Sequence, residues 1–164
     1  MRRLLSAALV LAMIFMTVGC SDLDEHSYAE LVIELPSEYE VFEAKDTYDL
    51  ALTNGVAVIG INRISRVSAA ESGMPDWLSP SEFAAYYLYM SVEKSEIEYV
   101  GQVPYYSYYH TPIGADQQFC LAAFYRSQYA YFTVFCFVSS SAEAGYIGDF
   151  IDFIDNVRFQ SIDD

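Results

Sequence analysis

Positive charge is what this chain lacks most: eight Lys and Arg stand against 23 Asp and Glu, for a net charge of −15. Phosphate backbones are bound by lysine and arginine, so the balance excludes nucleic acid as a partner. Anionic lipid headgroups are repelled on the same ground, and adhesion to a membrane would have to come from acyl chains. Cysteine is scarce as well, three in 164 residues. With no CxxC, no paired Cys/His spacing and no His-rich tract, a structural zinc site has no residues to use. Catalytic motifs are missing too. No GxSxG surrounds a serine, no glycine-rich loop is shaped to cradle a phosphate, and no EF-hand-type calcium loop occurs. Of the two histidines, only His110 falls in the expected folded body, in a tyrosine-rich strand, and a nucleophilic triad needs a base within reach of Ser or Cys. No catalytic residue, cofactor or metal is therefore expected. Paired carboxylates for glycoside hydrolysis stay open in so acidic a chain, although most acids fall in loops, in helix exteriors or near the N-terminus.

Aromatic residues, by contrast, are abundant, with 15 Tyr and 11 Phe. That suits a sheet protein packed by cross-strand rings.

The first twenty residues, MRRLLSAALVLAMIFMTVGC, carry two arginines, an apolar run from Leu4 to Val18 and a small residue before Cys20. Charged n-region, apolar h-region and small residue at the cut describe an export signal. The run is short of the roughly 20 apolar residues that span a bilayer, and acids (Asp22, Asp24, Glu25) follow it at once. An ordinary cleaved signal and an uncleaved anchor remain the alternatives. Ending on TVGC, the stretch resembles a bacterial lipoprotein signal, with Thr17 where that family's motif usually has Leu. The resemblance implies that residues 1–19 are removed and that Cys20 is lipidated as the mature N-terminus. Residues 20–28 then read as a polar, acidic tether with a solvated His26, and 29–164 as a single domain of ordinary size.

Along that domain, Leu31, Ile33 and Leu35 alternate in a strand that Pro36 ends. Asn54-Gly55 predicts a two-residue type I′ hairpin, which sets Leu52 opposite Ala57, Leu50 opposite Ile59 and Tyr48 opposite Ile61, all on one face. Residues 63–78 lack any period and read as a surface loop anchored by Trp77. Ser79-Pro80-Ser81-Glu82 is a capping box opening a helix to about Val92, with Phe83, Tyr86, Tyr87 and Met90 on one face, a stripe for the core or for recognition. Strands follow at 97–100, 105–111, 118–125 and 130–138. The last two are apolar on both parities, as strands covered on both faces are. A three-residue connection at Ser127–Tyr129 would set Cys120 opposite Cys136 as a candidate disulfide, whereas a two-residue one would send the two thiols to opposite faces. A final helix from Ser140 or Ser141 to about Asn156 carries the stripe Ile147, Phe150, Ile151 and Ile154. The candidate binding surface is Tyr106, Tyr108 and His110, which alternation places together; tyrosines covering a sheet with their hydroxyls at the rim read equally from the same residues.

LVIELPSEYEV, the helix after SPSEF and the terminal helix ending in NVRF, in the order strand, hairpin, helix, three antiparallel strands, helix, resemble the PsbP-like family. The resemblance implies an α+β fold with an antiparallel central sheet of about six strands and helices packed on it. It implies a binding or assembly module rather than an enzyme. The functional expectation is a lipoprotein anchored through Cys20 on the extracytoplasmic face of the cell membrane, serving another envelope protein. An exported hydrolase using acids near 63–78, and a small-ligand binding protein, are the alternatives.

Overall fold

The computed structural model describes residues 23–43, 47–91, 95–112 and 114–161, and Cys20 with the expected signal lies outside them. Ten strands and three helices follow in the order β1 (Leu23–Tyr28), β2 (Leu31–Pro36), β3 (Glu40–Val41), β4 (Leu50–Thr53), β5 (Ala57–Ser65), α1 (Arg66–Glu71), α2 (Pro80–Met90), β6 (Glu98–Val100), β7 (Val103–His110), β8 (Gln118–Arg126), β9 (Ala130–Ser139), α3 (Glu143–Asp155) and β10 (Arg158–Phe159). Seven of the strands form one sheet, ordered β3-β4-β5-β9-β8-β7-β6, with antiparallel pairing throughout. The α+β class expected from the pattern is what the chain adopts, with one more strand in the central sheet. A smaller sheet, β1-β2-β10, packs with α3 over one face of the large one, and α1 and α2 lie on the other. The centre strands β8 and β9 are buried along almost their whole length. Their unbroken apolar runs follow from that double cover.

Several elements differ from the sequence expectation, each for a visible reason. The expected tether is largely strand: β1 pairs with β2 from Leu23↔Pro36 to Tyr28↔Leu31, and Arg158 forms ion pairs with Glu25 and Glu34. Its polar side chains suit an outer strand, where charge discourages further pairing. His26 is half-buried, and its Nε2 is buried without a hydrogen-bond partner among the described residues.

At Asn54-Gly55 the last pair is Thr53 with Val58, so four residues lie between the paired positions. Side chains build this turn. Asn54 Oδ1 accepts from the N–H groups of Val56 (3.1 Å) and Ala57 (2.8 Å), and Thr53 Oγ1 donates to the Ala57 carbonyl (2.8 Å). The register moves by two, which preserves faces because strand side chains alternate with period two. Leu50, Leu52, Ile59 and Ile61 still share a face. Tyr48 does not join them: it precedes β4 and lays its ring over Gly60 on the other face, where a Cβ would meet the ring at 2.6 Å.

In 63–78, β5 runs on to Ser65, which caps the short helix α1 by accepting from the Ser68 N–H. Met74 and Leu78 anchor the segment, whereas Trp77 is 62 % exposed. The capping box at Ser79 forms as expected, with Glu82 returning the bond. The last helix starts later, after Ala142, because Ser139 and Ser141 bond each other instead of capping it, and Phe153 rather than Ile147 completes its buried side.

Candidate functional site

The residues marked in sequence are not brought together as one site. Tyr106 is buried and stacked on Phe124, Tyr108 is half-buried beside it, and His110 is exposed at the end of β7. They form a gradient from core to rim. Burial pushes the Tyr108 hydroxyl well above the usual tyrosine range. Cys120 and Cys136 form no disulfide. The last β8–β9 pair is Arg126↔Tyr131, with four residues between them closed by Ser127 N–H to the Ala130 carbonyl at 2.9 Å, so Cys120 stands opposite Phe137 and Cys136 opposite Leu121. The two thiols are buried on opposite faces of the sheet, and burial pushes the Cys136 thiol up. The acids of 63–78 do not converge either: Asp76 lies 3.7 Å from Arg66, and Glu71 is exposed. Among the described residues no three His, Cys, Asp or Glu side chains gather to hold a metal.

What the fold does build is a groove. α2 has only eleven residues, and its Phe83 and Tyr87 pack on Phe124 of β8. The same face above β5 and β9 is left partly open. The resulting space, ≈ 350 Å³, is floored by Asn62 and Ile64 of β5 and Tyr131 and Thr133 of β9, and walled by Met74 and by Tyr86, Tyr87 and Met90 of α2. Pockets that take small organic molecules begin at about this size and share this mostly apolar, aromatic lining. The helix stripe expected in sequence thus divides, Phe83 to the core and the other three to the groove.

Two polar groups interrupt the apolar floor. Asn62 and Thr133 are direct cross-strand neighbours. Thr133 is 3 % exposed, its hydroxyl makes no hydrogen bond among the described residues, and its oxygen is open to the groove rather than sealed in the core. Asn62 Oδ1 accepts from the Asp49 N–H (3.2 Å), which leaves the amide N–H groups unpartnered among the described residues. Among the described residues no carboxylate lines the groove. The side chain of the neighbouring Arg63 turns to the other face of the sheet, where its Nε is 3.2 Å from Glu30 Oε2 and its guanidinium sits over the Phe132 ring. Sequence reading missed Asn62 and Thr133; a polar residue inside the otherwise apolar run of β9 was the available signal for the second.

The end of the sheet near the β8–β9 turn has a different character. Glu30, 2 % exposed, follows Ala29, whose backbone is left-handed (φ 51°). Its carboxylate accepts from the Ser127 hydroxyl (2.5 Å) and from Arg63. Burial opposes its charge most, but these bonds prevail and hold the carboxyl below the usual range. Arg66 donates to the carbonyls of Asp76 (2.7 Å) and Gln128 (3.2 Å), and Arg126 to those of Trp77 and Leu78. Around these arginines Val67, Trp77 and Tyr129 stand exposed. The opposite end, where β1 begins, gathers Leu23 with Glu34, Glu38, Asp149 and Asp152.

This arrangement, an antiparallel central sheet with a small second sheet and a terminal helix on one face, is a PsbP-like fold. The solution structure of cyanobacterial PsbP (CyanoP) from Synechocystis sp. PCC 6803 superposes with a TM-score of 0.58 at 10% identity, covering 88% of this chain and 96% of that one. A crystal structure from Bacteroides thetaiotaomicron VPI-5482 gives the same TM-score of 0.58 and 10% identity, over 84% of this chain and 48% of that one. The chain therefore spans about half of the Bacteroides protein. No family model and no curated protein sequence matches. Likeness at this identity shows the fold alone.

Proposed function

We propose that this chain is a binding module on the extracytoplasmic face of the cell membrane, anchored by lipid on Cys20 and serving another envelope protein. The observation that carries the reading is the polarity of the domain relative to its start. Only residues 21 and 22 separate Cys20 from β1, and three residue steps reach at most about 11 Å. An acyl chain on Cys20 therefore holds the Leu23 end close to the bilayer. β1 then runs away from it for six residues, about 20 Å at strand rise. The end so presented is the one with Val67, Trp77 and Tyr129 exposed among arginines on an otherwise acidic chain. Aromatic and arginine side chains are the types favoured at protein interfaces.

Two measurements test this. Cys20→Ser should abolish metabolic labelling by palmitate and leave the precursor uncut, and persistent labelling overturns the anchor. Cross-linking from position 67 in intact membranes should capture an envelope protein, and Trp77→Ala should lower the yield several-fold. Equal capture with Trp77→Ala, or none from position 67, removes this end as the docking surface.

A further inference from the structure

Beyond docking, and whether or not Cys20 is acylated, we propose that the groove between α2 and the sheet is a binding site for a small, uncharged, ring-containing molecule with a hydrogen-bond acceptor oxygen such as a ketone. The argument starts from the floor. A hydroxyl that opens on a groove and bonds nothing in the protein is free to bond whatever enters the groove. Thr133 is such a group, and the amide N–H groups of Asn62 lie directly across the ladder from it. Together they offer two kinds of donor on one floor, as an oxygen acceptor requires.

The walls supply the rest of the specificity. Tyr86, Tyr87, Met74 and Met90 surround the space with flat rings and adaptable thioethers, which favours a flat apolar body. Burial raises the Tyr87 hydroxyl above the usual tyrosine value, in keeping with a poorly hydrated wall. Charge narrows the class further. A cation would find no carboxylate among the described lining residues. An anion would approach against a net charge of −15, and the Arg63 guanidinium is held by Glu30 on the other face of the sheet. An uncharged ligand meets neither obstacle. The volume of ≈ 350 Å³ corresponds to roughly a dozen waters of liquid volume, so one or two rings fit.

Benzophenone tests this directly, since it is an uncharged two-ring ketone that inserts into nearby C–H bonds on irradiation. The full-length chain in lipid nanodiscs, with empty nanodiscs as background, should show saturable adducts at Met74 and Met90 that excess acetophenone competes away. Thr133→Val keeps shape and removes the donor; it should raise the half-saturating concentration about three- to tenfold, the usual worth of one neutral hydrogen bond. Ser72→Phe, an exposed change at the rim, should block labelling, and a thermal melt identifies each variant as folded. Labelling that does not saturate, that falls on Trp77 and Val67 instead, or that is unchanged by both folded variants overturns the proposal.

Discussion

The two faces of the central sheet are packed by different means. Under β2 and α3 the core is mostly aliphatic: Leu31, Ile33, Leu35, Leu52, Ile59 and Ile61 are all fully buried. On the α2 face the same sheet is covered largely by rings. Phe83 packs on Tyr131 and Phe124, Tyr106 stacks on Phe124, and Tyr48 lies against Phe135 and Phe137. A complete second layer lets short branched side chains interdigitate, whereas one short helix leaves a width of sheet that only large rigid side chains can cover. Half-buried rings with hydroxyls at the rim are the result, and burial pushes the Tyr48 hydroxyl up to about 12. The rings of this face thus make up for a thin layer, and the groove is where even the rings do not close it.

The sharpest break of that comparison is a matched pair of truncations. Phe150→Ala, on the closed side and fully buried, should cost about 3–5 kcal/mol, because no neighbouring layer can collapse into the space. Met90→Ala, on the groove wall and 68 % exposed, should cost under about 0.5 kcal/mol, since water already reaches the site. Urea titration of both reads the difference, and similar losses would mean that the two faces are equally closed.

Glu30→Gln comes next, at about 1–3 kcal/mol, the cost of weakening a buried carboxylate that holds Arg63 and Ser127. Its pH dependence has a defined sign. The folded carboxyl lies below its ordinary value of 4.5, so the unfolded chain binds the proton more readily. Stability from this group is complete above 4.5 and is lost as pH falls through the folded value. Unfolding between pH 7 and 3 should show a steeper decline for the native chain than for Glu30→Gln, and parallel curves would contradict it.

Gly60→Ala tests the ring cover itself. A Cβ there meets the Tyr48 ring at 2.6 Å, so the ring must move off the sheet, at about 1–2 kcal/mol. The fluorescence of a Tyr48→Trp variant, red-shifted when the alanine is added, would report that exposure. An unchanged spectrum would place the cover elsewhere.

Much of the sandwich was legible from periodicity. The unbroken apolar runs of β8 and β9 marked a doubly covered sheet, and Ser79-Pro80-Ser81-Glu82 marked the start of α2. Registers were not legible to the residue, because two turns are built by side chains of Asn54, Thr53 and Ser127 that add residues to the connection. The added length at Ser127 sent Cys120 and Cys136 to opposite faces. β1 was hidden because an outer strand can be polar, so its composition matched a tether. The groove was hidden for a deeper reason. It depends on how far α2 fails to cover its face, a tertiary property, and only Thr133 inside an apolar run hinted at it.

Thr133→Val should have the smallest effect on stability and the opposite sign. The substitution keeps the β-branched shape that a strand favours and removes a hydroxyl that has no partner among the described residues. Replacing a hydroxyl that bonds nothing in the protein by a methyl, in a mostly apolar setting, should raise stability by under about 1 kcal/mol. The same change weakens the proposed ligand contact, so stability and binding should move in opposite directions, as they do where a site is maintained at the expense of the core. Chemical denaturation of the chain without added ligand decides the matter. A loss of stability on Thr133→Val would mean that the hydroxyl is already satisfied, and the groove floor would then be ordinary packing.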